Sequence, residues 1–233
     1  MCESTSSSLP RALISRSALA ACAAAAVAGG GRLADLRRDA WGHGLLPVAE
    51  AVVAAGAEAV RVDSADEADL LARNGISGVT SGEPDIDPRV LYGLPGIAGG
   101  IAPVLRLTGR VLSTKPLKAG DAVSYGYTFR ASAPTTMALV TGGYAQGVAR
   151  SLGNRADVEI GGRMRPIVGR VAMDVCVVDL QDAGRVAVGA EVTYFGGRGP
   201  AAHALARWSE VTGLGDAELL AVAAAHAERG WEA

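Results

Sequence analysis

The spacing of apolar positions changes near residue 100, and the change divides the chain into two kinds of predicted structure. Before that point, short apolar runs alternate with alanine-rich runs whose apolar residues recur at helical spacing. The predicted strands cover residues 12–15, 33–36 and 59–62, and the predicted helices cover residues 17–27, 47–55 and 65–74. Ser64 and Glu67 have the S-x-x-E spacing of a capping box at the start of a helix. Alternating strands and helices favour βα units with a parallel sheet.

After residue 100 the chain consists mainly of short β-type runs separated by glycine and aspartate turns. The predicted strands cover residues 104–113, 122–128, 135–141, 157–160, 163–168, 172–179 and 191–195. Gly161 and Gly162, between Ile160 and Arg163, are typical of a two-residue hairpin. Two helices over residues 201–211 and 216–229 are predicted to close this part. The pattern favours a mostly antiparallel β domain over residues 101–233.

The length of the chain limits the number of βα units in the first part. A closed (β/α)₈ barrel takes about 250 residues, whereas the whole chain has 233. Residues 1–100 leave room for about three βα units. The predicted fold class is therefore α/β plus β, in which an incomplete (β/α) barrel fragment precedes the β domain.

Composition and charge exclude several classes of function. The net charge is −2, so the chain has no basic surplus for a nucleic-acid or anionic-membrane partner. Three cysteines without CxxC spacing and three scattered histidines argue against a disulfide framework or a metal site. Together these counts favour a protein of the reducing cytoplasm.

The N-terminal segment has a second interpretation. Arg11 and Arg16 precede a small-residue apolar run over residues 18–31, which is the outline of a signal peptide. The run is mostly alanine and has no leucine or phenylalanine block, so a strand followed by an alanine-rich helix is favoured. No run is long and apolar enough to predict a transmembrane helix.

The run from Arg38 to Gly44 (RDAWGHG) follows a predicted strand and opens a predicted helix. A turn of small residues at the carboxyl end of a βα strand can turn backbone N–H groups toward a ligand. The alternative is that Gly42 and Gly44 only make the turn and His43 is a structural hydrogen-bonding residue. On this motif alone, the structural interpretation is favoured.

Three further motifs lie in the β domain: VSYGYT over residues 123–128, GGYAQGV over 142–148, and PIVGRVAMD over 166–174. Each alone is ordinary strand content, but together and in this order they resemble the alanine racemase family. The resemblance covers about residues 104–215, and about residues 10–80 in the first part. In that part, Leu36 to Gly44 is similar to the family's strand-end motif, Val-Lys-Ala-Asn/Asp-Ala-Tyr-Gly-His-Gly.

The resemblance implies a fold and a reaction. It implies a (β/α)₈ barrel and a β domain in a head-to-tail dimer, with pyridoxal phosphate (PLP) bound to a lysine to interconvert L- and D-alanine. Two bases on opposite faces of the substrate are then required. By resemblance, Tyr125 is the catalytic base supplied by the partner subunit, and Met173 lies at the substrate carboxylate. Tyr144, Arg170 and Asp174 match residues of the entry corridor.

The chain departs from the family at the cofactor positions. The position of the cofactor lysine is Arg37, and Trp41 occupies that of the tyrosine that contacts the phosphate. A guanidinium stays protonated and does not form a Schiff base as an amine does. The only lysines are Lys115 and Lys118, in a segment that is predicted to be a solvated turn over residues 114–120. PLP binding by this chain is therefore not expected.

Three hypotheses remain. The first is a PLP-dependent racemase acting on a small amino acid, as the resemblance implies. The second is a non-catalytic racemase-like binding module, as a homo-oligomer or as a partner subunit of an intact racemase. The third is a truncated gene product without a selected role.

Overall fold

The computed structural model describes residues 9–94, 102–124, 126–181 and 186–233. The first part of the chain alternates strands and helices, as its pattern predicts. Its elements are β1 (Arg11–Ser15), α1 (Arg16–Ala28), β2 (Leu33–Asp35), α2 (Arg37–Trp41), α3 (Leu45–Ala54), β3 (Ala59–Arg61), α4 (Ala65–Arg73), β4 (Gly78–Val79) and α5 (Pro88–Leu91).

A small parallel sheet in the order β2-β3-β4 forms the centre of the first part. Of the helices between these strands, α4 begins at the predicted Ala65, α3 begins two residues before the predicted Pro47, and α2 lies where a turn is predicted. The Ser64 hydroxyl accepts a hydrogen bond from the Glu67 amide at 3.2 Å, which caps α4. The Glu67 carboxylate accepts from the Asp63 amide at 2.8 Å instead of the Ser64 amide. The predicted βα units are present in this parallel sheet, and their origin as a barrel fragment stays a prediction.

The second part is a closed β barrel followed by two helices and a strand. Its strands are β5 (Leu105–Leu117), β6 (Ala122–Val123), β7 (Phe129–Arg130), β8 (Thr135–Thr141), β9 (Asp157–Ile160), β10 (Arg163–Val168), β11 (Val175–Asp179), β12 (Glu191–Phe195) and β13 (Glu228–Glu232). The helices are α6 (Ala204–Thr212) and α7 (Asp216–Ala225). The pairing runs β5-β8-β11-β10-β9-β12 and closes because β12 also pairs with β5. Antiparallel pairs join all six strands.

The sheet extends beyond the barrel at β5. There β1 pairs antiparallel with β5, and β13 pairs parallel with β1. The predicted helix to residue 229 is therefore wrong at its end, because Glu228–Glu232 is drawn into the sheet opposite Arg11–Ser15. The predicted division of the chain near residue 100 stays a prediction, although β1 contributes hydrogen bonds to the sheet of the second part.

One apolar core runs through both parts. It includes buried residues of α1 and α3 as well as residues of the barrel and α7. Trp208 on α6 is fully buried and meets Phe195 edge to face, with ring centroids 5.1 Å apart. No helix within the described ranges is long and apolar enough to cross a membrane.

Candidate functional site

The short segment α2, which follows β2 at the position of the strand-end motif, is a left-handed turn. Residues 38–41 all have φ between 53° and 56°, a region that costs a non-glycine residue roughly 1–2 kcal/mol. Tertiary hydrogen bonds hold this strained backbone. The Arg38 amide donates to the Asp63 carboxylate at 2.6 Å, and the Leu45 amide donates to the Asp39 carboxylate at 2.7 Å. Strain that neighbouring groups impose in this way is a feature of ligand-binding and catalytic sites.

His43 packs under this turn. Its ring is fully buried, its Nδ1 bonds the Ala40 carbonyl at 2.9 Å, and it stacks on Tyr92 with centroids 4.3 Å apart. The Trp41 ring lies 5.0 Å from the same tyrosine. Burial lowers the pKa of His43 to about 4, so the ring is neutral near pH 7. These contacts support the structural interpretation of His43.

Arg37, two residues after the end of β2, is bound to the last residue of that strand, Asp35. Its Nε donates to Asp35 Oδ1 at 2.8 Å and its Nη2 donates to Oδ2 at 2.6 Å, a bidentate pair. The hydrogen bonds from Arg37 lower the pKa of Asp35, and those to Asp35 raise the pKa of Arg37. Asp63 and Glu83 add negative charge around the guanidinium. The strand end therefore carries a permanent cation that the chain itself neutralises.

In the β domain, the structure joins the third and fourth motifs. The Tyr144 amide donates to the Ala172 carbonyl at 2.9 Å, the Ala145 amide to the Met173 carbonyl at 3.0 Å, and the Gly142 amide to the Asp174 carbonyl at 3.1 Å. A Cβ at Gly143 would lie 2.2 Å from the Met173 carbonyl oxygen, so only glycine allows this approach.

The second motif joins the same group through Ser124. Its hydroxyl donates to the Arg170 carbonyl and accepts from the Arg170 amide, both at 2.8 Å. The Arg170 guanidinium lies beside Gly126. We call residues 124, 126–127, 142–147 and 169–174 the loop cluster. Tyr125, the predicted catalytic tyrosine, lies outside the described residues.

The loop cluster presents predicted site residues at the surface. Tyr144 is 42% exposed and Met173 is 54% exposed, and Arg170 and Asp174 are exposed as well. The structure brings the loops that carry Met173, Tyr144, Arg170 and Asp174 together, and the roles that the resemblance implies for these residues stay predictions. Arg37 and Trp41 lie elsewhere, at the end of the parallel sheet.

Two polar residues that hold the loop cluster together, Gln146 inside it and Asn154 next to it, are not among the predicted site residues. Buried Gln146 donates from Nε2 to Asp174 Oδ1 at 3.4 Å and so links the third and fourth motifs. Asn154 accepts from the Gly169 amide at 2.7 Å and has a left-handed φ of 60°. The Gly-Asn pair at residues 153–154 is the sequence signal that could have indicated such a turn.

Helix α7 contacts both groups of candidate residues. A Cβ at Gly42 would lie 2.3 Å from Ala224 Cβ, and a Cβ at Gly147 would lie 2.6 Å from Ala223 Cα. Among the described residues, no hydrogen bond or ion pair joins Arg37 or Trp41 to the loop cluster. Within the described part of the chain, the two groups thus have no direct polar contact and both pack against α7.

A parallel βα sheet joined to a closed antiparallel barrel, with tyrosine and methionine loops clustered on the barrel, defines a protein of the α/β plus β class. The family model described as "Alanine racemase, C-terminal domain" matches residues 104–230. This match covers more than half of the chain, which therefore belongs to the alanine racemase family.

Individual relatives agree with this assignment. The alanine racemase of Mycolicibacterium smegmatis is 40% identical over 172 residues, which are 72% of this chain and 40% of that protein. The chain thus spans less than half the length of the curated relatives that it matches. The solved alanine racemase from Streptomyces coelicolor has a TM-score of 0.79 at 21% identity, over 96% of this chain and 98% of that chain. The Bartonella henselae structure, with covalently bound pyridoxal phosphate, has a TM-score of 0.74 at 18% identity, over 96% of this chain and 99% of that one. At these identities the two structures show a shared fold.

Proposed function

We propose that this chain is an alanine racemase family protein that does not racemise alanine by itself. The observation that carries the proposal is the bidentate Arg37–Asp35 pair at the position of the family's cofactor lysine. A guanidinium does not form the Schiff base that attaches PLP, and this one already has a carboxylate partner.

The other residues at the strand end do not fit covalently bound PLP either. Trp41 has no hydroxyl for the phosphate, and its ring packs against Tyr92. The only amines on side chains are those of Lys115 and Lys118, both in the β domain. When bound to a lysine, PLP stabilises the carbanion formed by loss of the α-proton. The residues of this chain provide no anchor for it at the strand end.

The proposed loss of activity goes together with a shortened barrel part. We infer that residues 1–100 are a barrel fragment of about three βα units and that residues 101–233 are the β domain. The described part of the parallel sheet has three strands, which supports the inference.

An incubation with PLP tests the proposal. We expect the wild-type chain to give no absorbance from an aldimine that borohydride reduces, and no racemisation of alanine on the same sample. Arg37→Lys is the matched variant, because it restores an amine at one position and keeps the positive charge. A reducible aldimine with turnover in the wild type, lost in Lys115→Gln or Lys118→Gln, would refute the proposal.

A second role follows from the exposed loop cluster. We infer that the β domain binds a racemase barrel, either in another copy of this chain or in an intact racemase, and presents the loop cluster and Tyr125 to it. Tyr144 and Met173 are both exposed on loops that hydrogen-bond to each other, and this common exposed position supports the role. In a mixed assembly the substrate would be a small amino acid bound at the partner's barrel.

Mixing the chain with an intact racemase tests the second role. We expect the two proteins to co-elute in size-exclusion chromatography and the racemisation rate to change in proportion to the amount of complex. Tyr125→Phe is the matched control, which should keep the complex and remove the effect of the hydroxyl on the rate. Separate elution together with an unchanged rate would exclude a partner subunit.

A further inference from the structure

The β domain carries an open trough of about 370 Å³, bordered on one side by Val123, Ser124 and Tyr127 of the second motif. Its floor is one face of the sheet formed by β5, β8 and β11. Lys115 pairs with Met137, Ser113 pairs with Leu139, and Leu139 pairs with Val177, so these side chains share one face. The wall opposite is formed by Ala122, Val123, Ser124 and Tyr127.

The floor of the trough is apolar. Met137 is buried, while Leu139 and Val177 are half-buried and so still offer surface to a ligand. Tyr127 on the wall is 69% exposed and has a left-handed φ of 50°, and its amide donates to the Ser124 carbonyl at 3.2 Å. A tyrosine held open beside an apolar floor can gain contact area when a ligand packs against it.

Lys115 gives this apolar trough a single positive charge. The prediction that Lys115 lies in a solvated turn is wrong, because β5 continues to Leu117 and the turn begins at Lys118. There the Lys118 amide donates to the Asp121 carboxylate at 2.9 Å. Within the described ranges, no carboxylate forms an ion pair with the Lys115 ammonium.

The volume of the trough lies at the small end of the roughly 300–1,000 Å³ typical of ligand sites. We propose that the trough binds a small carboxylate with an apolar tail. The tail lies on Met137, Leu139 and Val177, and the carboxylate pairs with the Lys115 ammonium beside the Ser113 hydroxyl. A lone cation above an apolar floor favours an amphipathic anion over a phosphate, which binds best to several converging donors. The site uses neither Arg37 nor PLP, so it does not depend on the proposed loss of racemase activity. Its wall residues Ser124 and Tyr127 also belong to the loop cluster, so the site does share residues with the second proposed role.

The presence of only two lysines permits a direct test. Reductive methylation with ¹³C-formaldehyde labels Lys115 and Lys118 and keeps their positive charge. The variants Lys115→Gln and Lys118→Gln assign the two resonances, and the N-terminal amine gives a separate one. We expect octanoate to shift the Lys115 resonance in a saturable way and to leave that of Lys118 unchanged.

Matched ligands and variants separate the tail from the charge. Acetate lacks the tail and protonated octylamine lacks the negative charge, so we expect neither to shift the Lys115 resonance at concentrations that saturate with octanoate. By calorimetry, Lys115→Gln should weaken octanoate binding at least tenfold, whereas Lys118→Gln should have no effect. Val177→Thr keeps the branched shape and adds a hydroxyl to the floor, so it should weaken binding several-fold.

Several results would overturn the proposal. Equal shifts of both lysines would indicate non-specific binding of the fatty anion, and acetate as effective as octanoate would indicate a simple surface ion pair. Unchanged affinity in Lys115→Gln would remove the lysine from the site. An octanoate affinity that falls as the protein concentration rises would mean that a second copy of the chain occupies the trough.

Discussion

The buried neutral His43 predicts that the protein loses stability in mild acid. Burial lowers the pKa of His43 to about 4 in the folded state, against 6.5 for an exposed histidine. The unfolded chain therefore binds a proton between these pH values that the folded protein does not. Stability is complete above pH 6.5 and falls as the pH approaches 4. Linkage gives a loss of about 2 kcal/mol between pH 7.5 and pH 5 and about 3 kcal/mol at lower pH.

Urea unfolding of the wild type and of His43→Asn at several pH values measures this loss of stability in acid. Asparagine keeps a donor for the Ala40 carbonyl but does not titrate, so the variant should have a flatter pH profile. We expect it to be less stable at neutral pH, because it loses the ring that stacks on Tyr92. The carboxylates, including Asp35 with its lowered pKa, titrate in both proteins and cancel in the comparison. His226→Asn at an exposed position is the matched control. Parallel profiles for the wild type and His43→Asn, or a His43 titration above pH 6 by NMR, would refute the reasoning.

Three smaller perturbations test other parts of the structure by chemical or thermal unfolding. Asp35→Asn should destabilise by about 1 kcal/mol, because its partner guanidinium is partly exposed and screened. The difference should persist at pH 5, begin to fall near the usual aspartate pKa and vanish only below the lowered pKa of folded Asp35, and a difference that does not fall there would contradict the reasoning. Gly143→Ala should destabilise by about 3 kcal/mol through the clash with the Met173 carbonyl, whereas Gly215→Ala, whose Cβ would have only an ordinary contact with Glu218 Oε2 at 3.5 Å, should cost much less. Ser64→Ala should destabilise by about 1 kcal/mol if the hydroxyl caps the helix, and no effect would mean that it does not.

The sequence predicted correctly the caps and turns that depend on residues close together along the chain. The α4 cap at Ser64 and the β9–β10 hairpin at Gly161 and Gly162 are present as predicted, since both depend on residues within a few positions of one another. The order of the motifs indicated the family, and the loop cluster brings Tyr144 and Met173 together.

The sequence by itself thus determined the alternating strands and helices of the first part, the short strands of the second part, the helix cap at Ser64, the hairpin and the family. Only the tertiary structure decided the partners of β1 and β13, which lie more than two hundred residues apart along the chain and meet because each completes an open edge of the sheet. It also decided that Arg37 is bound by Asp35 and that Lys115 lies in a trough instead of a turn. Hydrogen-bond pairing and side-chain direction depend on which distant segments come together, and a single sequence does not contain that information locally.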